Sequence, residues 1–168
     1  FTDRRQRQMC IRDRYFFEKL MRPLGAQDDA YVTLDRMGTS RSAGGVCISA
    51  SDIMSICEMV RCYGKNSHGE QVFPENWIKD ILNSDSNKKF SLDGHYDIFP
   101  NGLYRSKLYS PYTSINVLFG LGFLVHWIWI DFDKVISFVC LSSEPKPIMK
   151  NNIEQMSDIF SQITNQLV

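Results

Sequence analysis

The chain has 168 residues with 43% hydrophobic and 12% aromatic content, enough apolar material for one core, since single domains commonly run to about 100–200 residues. Its 19 basic and 19 acidic residues balance to zero net charge, which argues against a polyanionic partner such as nucleic acid. The longest apolar stretch, residues 115–130, is interrupted by Asn116, two glycines and His126 and falls short of the about 18 uninterrupted apolar residues of a membrane span.

Taken in chain order, residues 1–14 are basic and show neither helical nor strand periodicity, and Arg7-Gln-Met-Cys-Ile-Arg-Asp13 resembles translated sequencing-adapter DNA. They are set aside as a non-native segment, which leaves residues 15–168 as the folded portion. Phe16, Phe17 and Leu20, followed by Pro23 and Gly25, read as the end of a helix. Tyr31-Val-Thr-Leu34 is a short extended segment. Ser49 with Asp52 three residues on is an N-cap with an acidic first turn, Ile53, Ile56, Cys57 and Val60 follow at helical spacing, and Gly64 is a stop. Pro74 fits a first helical position, and Trp77, Ile78, Ile81 and Leu82 form a second buried stripe ending near Asn83.

Residues 83–94 are rich in Asn, Ser, Asp and Lys and read as a surface loop. Residues 104–109 read as a strand. Residues 120–131 and the segment from Val135 onward, both rich in β-branched and aromatic residues, are expected to form a central antiparallel hairpin joined by Asp131-Phe-Asp-Lys134. In residues 151–167, Ile153, Met156, Ile159, Phe160, Ile163 and Leu167 share one face, as in an amphipathic helix packed on a sheet. The fold class expected is α+β: an antiparallel sheet flanked by helices. Five cysteines without a Cys-x-x-Cys pair read as buried thiols, and three scattered histidines, His68, His95 and His126, give no metal-ligand spacing, so no metal or cofactor is expected.

Several blocks occur together in one order. Arg22-Pro-Leu-Gly-Ala-Gln-Asp-Asp-Ala-Tyr-Val-Thr-Leu-Asp35, Ala43-Gly-Gly-Val46, Gln71-Val-Phe-Pro-Glu-Asn-Trp77, Phe99-Pro-Asn-Gly-Leu-Tyr104 and the central hairpin resemble the C-terminal part of the penicillin-recognising serine hydrolases. The branch most similar is that of the 6-aminohexanoate-dimer hydrolases and related class C β-lactamase-like esterases. The resemblance runs from Glu18 to the C-terminus. It implies a β-lactamase/DD-peptidase-like fold that cleaves an amide, β-lactam or ester of a small molecule through an acyl-enzyme. The nucleophile would be the Ser of a Ser-x-x-Lys motif, with the Lys and a later Tyr handling its proton. The family's motif precedes the resembling region, so that Ser and Lys are expected upstream and missing here, and the chain by itself is expected to be inactive. A non-catalytic ligand-binding member of the same fold is the alternative.

The resemblance also implies site residues. Phe123 matches the position whose backbone N–H is the second oxyanion donor, a role insensitive to side chain and worth about 2.7–4 kcal/mol in such sites. Ala43, Gly44 and Gly45 match a loop that approaches the substrate; read for turn chemistry alone, the glycines make a tight turn leading into the helix. Tyr109 matches an aromatic at the substrate mouth; as a strand aromatic it is packing. Where the branch carries His-Gly-Gln, this chain has Leu124-Val125-His126. Alternation along a strand would put His126 on the side of Leu124, about 6.6–6.8 Å further on, as a shifted polar contact for substrate. Without the resemblance it is a core or rim histidine. Ser142 and Ser143, in the family's Leu-Ser-Ser tail, are assigned structure rather than nucleophilicity.

Overall fold

The computed structural model describes residues 14–41, 44–82, 99, 102–111, 116–122, 125–143 and 150–167. The first helical segment, α1, takes a π-turn at Phe17–Met21 and continues through Arg22–Leu24 to Gly25 at φ 73°. Pro23 has no N–H to offer the carbonyl one turn back, so a wider turn at this place fits the sequence. Strands β1 (Tyr31–Val32) and β2 (Val46–Cys47) pair antiparallel as a two-stranded sheet.

Helix α2 (Ala50–Arg61) begins at Ser49, whose Oγ accepts the Asp52 N–H at 3.2 Å. It ends where Gly64, at φ 87°, donates its N–H to Met59 O at 2.8 Å. Asp52 does more than its first-turn position announces. It is buried, and its carboxylate accepts the N–H groups of Gln27 at 3.1 Å and Asp28 at 3.3 Å, tying the loop after α1 to the head of α2. Helix α3 (Glu75–Leu82) starts one residue after Pro74 and buries Ile78 and Ile81.

The main sheet is antiparallel, in the order β3-β4-β5-β6-β7, with β3 at Leu103–Arg105, β4 at Leu108–Ser110, β5 at Val117–Leu121, β6 at Trp127–Asp131 and β7 at Ile136–Cys140. The β6–β7 hairpin is as expected, with Asp131 opposite Ile136. The buried Asp131 carboxylate closes its turn by accepting the N–H groups of Asp133 at 3.0 Å and Lys134 at 2.8 Å.

Two expected strands are each divided. Residues 104–109 form a hairpin, β3 to β4, because Ser106 and Lys107 both adopt left-handed backbone (φ 53° and 69°), the type I′ pattern of two-residue turns. Residues 120–131 likewise do not run straight. β5 ends at Leu121, Gly122 N–H donates to His126 O at 2.8 Å, Val125 N–H donates to Gly122 O at 3.0 Å, and β6 returns with Leu121 opposite Trp127. Val125 sits at φ 63°, a costly conformation for a β-branched residue. Strand alternation therefore does not carry from residue 124 to His126, and the side-chain direction expected for His126 on that basis is corrected.

Alternation does hold within β5, β6 and β7, and it builds two cores. One face presents Val117, Phe119, Trp127 and Trp129 to helix α4 (Lys150–Gln166), where Ile153 and Phe160 are buried and the Phe160 ring lies 5.5–5.8 Å from Trp127, Trp129 and Phe138. The other face presents Ile128, Ile130 and Val139 to Cys57 and Val60 of α2 and Ile78 of α3. The layers are helix, sheet, helix. On α4 the buried positions are Ile153, Ser157, Phe160 and Thr164, while Ile159 is 45% exposed and Leu167, one residue past the helix, is 65% exposed. The expected apolar face is thus rotated: the small Ser157 and Thr164 are buried on the side of Ile153 and Phe160, and Thr164 Oγ1 bonds back to Phe160 O at 2.6 Å.

Candidate functional site

Between the second sheet face and helices α2 and α3 lies a cavity of about 420 Å³, within the size range of small-molecule sites. Its floor is Gly120, Ile128 and Ile130, and its roof is Ile53, Ile56 and Trp77. Gly120 belongs to the floor because a side chain would not fit; a Cβ there would lie 2.8 Å from Ile128 Cγ1.

Polar groups gather at one end of the sheet. The register Leu121↔Trp127, Trp127↔Cys140 and Tyr109↔Phe119 brings together the 106–107 turn, the 122–126 turn and the end of β7. From there Ser106, Lys107 and His126 line the cavity. His126 Nδ1 accepts the Ser142 N–H at 3.1 Å, and Ser142 Oγ donates to Val125 O at 2.6 Å. With Nδ1 an acceptor, the neutral ring carries its proton on Nε2.

Cys57, also in the cavity wall, is fully buried, and desolvation, with the neighbouring Glu58 carboxylate second, pushes its thiol up to about 12. It is a protonated, apolar-behaving thiol at neutral pH and no nucleophile. Among the described residues no group of three or more His, Cys, Asp and Glu is placed to hold a metal ion, and no helix is long and apolar enough to cross a membrane.

Of the residues singled out from the sequence, Gly44, Gly45, Tyr109 and His126 are described, and among these His126 lines the cavity. Tyr109 lies on the opposite sheet face, stacked on Phe119 at 5.0 Å and beside Tyr104 at 4.5 Å; burial there, and Tyr104 second, raises its phenol pKa. Gly45 is buried, and a Cβ on it would collide with Thr33 Oγ1 and come within 2.8 Å of Arg41 O, so its close approach is to its own chain. Gly44 faces open space. Ala43, Phe123 and Leu124 lie outside the described residues.

Sequence reasoning missed Trp77, Ile128 and Ser142 as parts of one site. Ser142 gave no usable signal, because its contribution is a backbone N–H delivered by strand register. The expectation that the motif is missing from the chain also needs a correction. The Ser-x-x-Lys spacing occurs twice, at Ser86–Lys89 and Ser143–Lys146. Ser86, Lys89 and Lys146 lie outside the described residues, and Ser143 is exposed just after β7.

No family model matches the chain. It is 29% identical over 126 residues to 6-aminohexanoate-dimer hydrolase of Paenarthrobacter ureafaciens, a match that covers 74% of this chain and 31% of the relative. A solved structure from Bacillus anthracis, described as a "Putative 6-aminohexanoate-dimer hydrolase", shares the fold with a TM-score of 0.77 at 19% identity, over 90% of this chain and 37% of that one. The chain thus spans about a third of the length of each. It is a homologue of a 6-aminohexanoate-dimer hydrolase, and its mixed helix and antiparallel-sheet architecture is that of a 6-aminohexanoate-dimer hydrolase-like protein.

Proposed function

We propose that the chain is part of a serine hydrolase of the β-lactamase-like fold, cleaving an amide, β-lactam or ester bond of a small molecule through an acyl-enzyme. The observation that carries this reading is the similarity over 126 residues to a 6-aminohexanoate-dimer hydrolase, joined to the shared fold. Phe123 N–H, next to the cavity-lining Gly122, would be one oxyanion donor, and His126 the polar contact at the cavity's end. Gly44, which faces open space, would stand with Ala43 on an outer substrate wall, whereas Gly45 and Tyr109 would support it through packing.

The nucleophile would come from polypeptide outside this chain. Ser-x-x-Lys chemistry needs both side chains on one face of a helical turn. Pro145 disfavours helical backbone at Glu144, between Ser143 and Lys146, and Ser86 stands in a tract of Asn, Asp and Lys rather than an apolar helix. A non-catalytic binding protein of the same fold is favoured by one observation, the replacement of a His-Gly-Gln pattern by Leu124-Val125-His126 with Val125 held at φ 63°.

A fluorophosphonate probe, which phosphonylates activated serines with loss of fluoride, tests both. The gene is extended upstream, and the longer protein and the 168-residue chain are labelled and mapped by mass spectrometry. Labelling of an upstream Ser followed three residues later by Lys supports the hydrolase. Labelling of Ser86 or Ser143 overturns the placement of the nucleophile, and an unlabelled longer protein leaves the binding reading in its place.

A further inference from the structure

The cavity has a chemical polarity that neither comparison states. Its walls come from α2, α3 and the sheet and are apolar; among the described residues that line it none is acidic, and Lys107 in the β3–β4 turn is the one lysine or arginine. His126 sits at the same sheet end with its ring and backbone held: Ser142 N–H occupies Nδ1 at 3.1 Å, and Gly122 N–H holds the His126 carbonyl at 2.8 Å. Among the described residues nothing accepts a hydrogen bond from Nε2–H.

We propose that this cavity binds an uncharged or anionic aliphatic acyl chain, its tail on Ile128 and Ile130 and its carbonyl or carboxylate oxygen on His126 Nε2–H beside Lys107. The proposal rests on the hydrolase reading and narrows its substrate class to acyl groups without an amine. A chain ending in an ammonium would bury that charge against isoleucines with no carboxylate among the described lining residues to meet it, a large cost. A chain ending in an oxygen acceptor finds a fixed donor. Ser142 is a positioning residue: its backbone N–H holds the ring in the tautomer that donates into the cavity, and its hydroxyl secures the turn through Val125 O at 2.6 Å.

The test is a binding titration of the whole chain with octanoate and with octylammonium, read by tryptophan fluorescence, together with ¹⁵N NMR of the imidazole assigned by its loss in His126→Gln. Octanoate is expected to bind at least about tenfold more tightly than octylammonium, the size of one hydrogen bond to a charged group, and to shift the Nε2 resonance. His126→Phe should bring octanoate down to the octylammonium level. Free protein should show an unprotonated Nδ1, and Ser142→Pro, which removes the N–H, should mix the tautomers while Ser142→Ala keeps them unmixed.

Equal binding of the two probes, binding of neither, or unchanged octanoate affinity in His126→Phe overturns the acyl-site proposal. A protonated Nδ1 in the unaltered chain overturns the positioning role even where the proline variant does not fold. Binding is read without turnover, so the two readings fail separately. Octanoate selectivity with no probe-labelled Ser in the extended protein removes the hydrolase alone; labelling without octanoate selectivity removes this acyl site alone.

Discussion

Cys57 offers a measurement of how tightly α2 is pressed to the sheet. Its thiol is fully buried against the core that holds Val60, Ile78 and Ile130, and its pKa is pushed from an ordinary 9.0 up to about 12. The unfolded chain exposes that thiol at its ordinary value, so between the two values the unfolded state loses a proton that the folded state keeps. The stabilisation is fully present below pH 9 and is lost as pH rises toward 12. Three units at 1.36 kcal/mol each give an upper bound of about 4 kcal/mol, and half-way, near pH 10.5, about 2 kcal/mol. The perturbation is Cys57→Ala, which deletes the titrating group at the cost of a small void. Urea unfolding of both proteins under reducing conditions, at pH 7.5 and about pH 10.5, separates this thiol from the tyrosines and lysines that titrate in the same range. The unsubstituted chain should lose about 2 kcal/mol more than Cys57→Ala over that interval. Parallel losses would refute the burial argument and mean that water reaches the α2–sheet contact.

Three further outcomes follow from the packing. Ile153→Ala, at a site 1% exposed between α4 and the sheet, should cost about 2–5 kcal/mol in urea unfolding, whereas Ile159→Ala, 45% exposed, should stay within about 0.5 kcal/mol; equal losses would return α4 to the unrotated face. Ser49→Ala removes the oxygen that caps Asp52 N–H and should cost about 1 kcal/mol, with Ser49→Asp restoring it. Replacing Ser106-Lys107 by Asn-Gly, residues suited to φ 53° and 69°, should raise the melting temperature by the equivalent of about 1 kcal/mol; a lowered one would argue against the type I′ turn.

The helices were legible where a local rule fixes both ends. Ser49 and Gly64 bracket α2 because capping needs only neighbouring residues, and Pro74 marks the approach to α3 within one residue. Strand boundaries were not legible where a turn is built without turn residues. Residues 122–126 are Gly-Phe-Leu-Val-His, an apolar run with nothing polar before His126, so hydrophobicity continues through a chain reversal. That reversal is held instead by two backbone hydrogen bonds and by Val125 packing into the core in a strained conformation. Ser106-Lys107 is the same case without glycine.

What the sequence by itself determined is therefore the set of elements with local signatures, the α+β class, and a resemblance that the comparison with 6-aminohexanoate-dimer hydrolase supports. The tertiary structure decided which of the singled-out residues meet. Tyr109 and His126 differ in face because the 104–109 and 120–131 segments each fold back, and a reversal resets the alternation that a straight strand would carry. It also decided the state of His126, because the group that fixes its ring, Ser142 N–H, is sixteen residues away in sequence and adjacent only through the β6–β7 register.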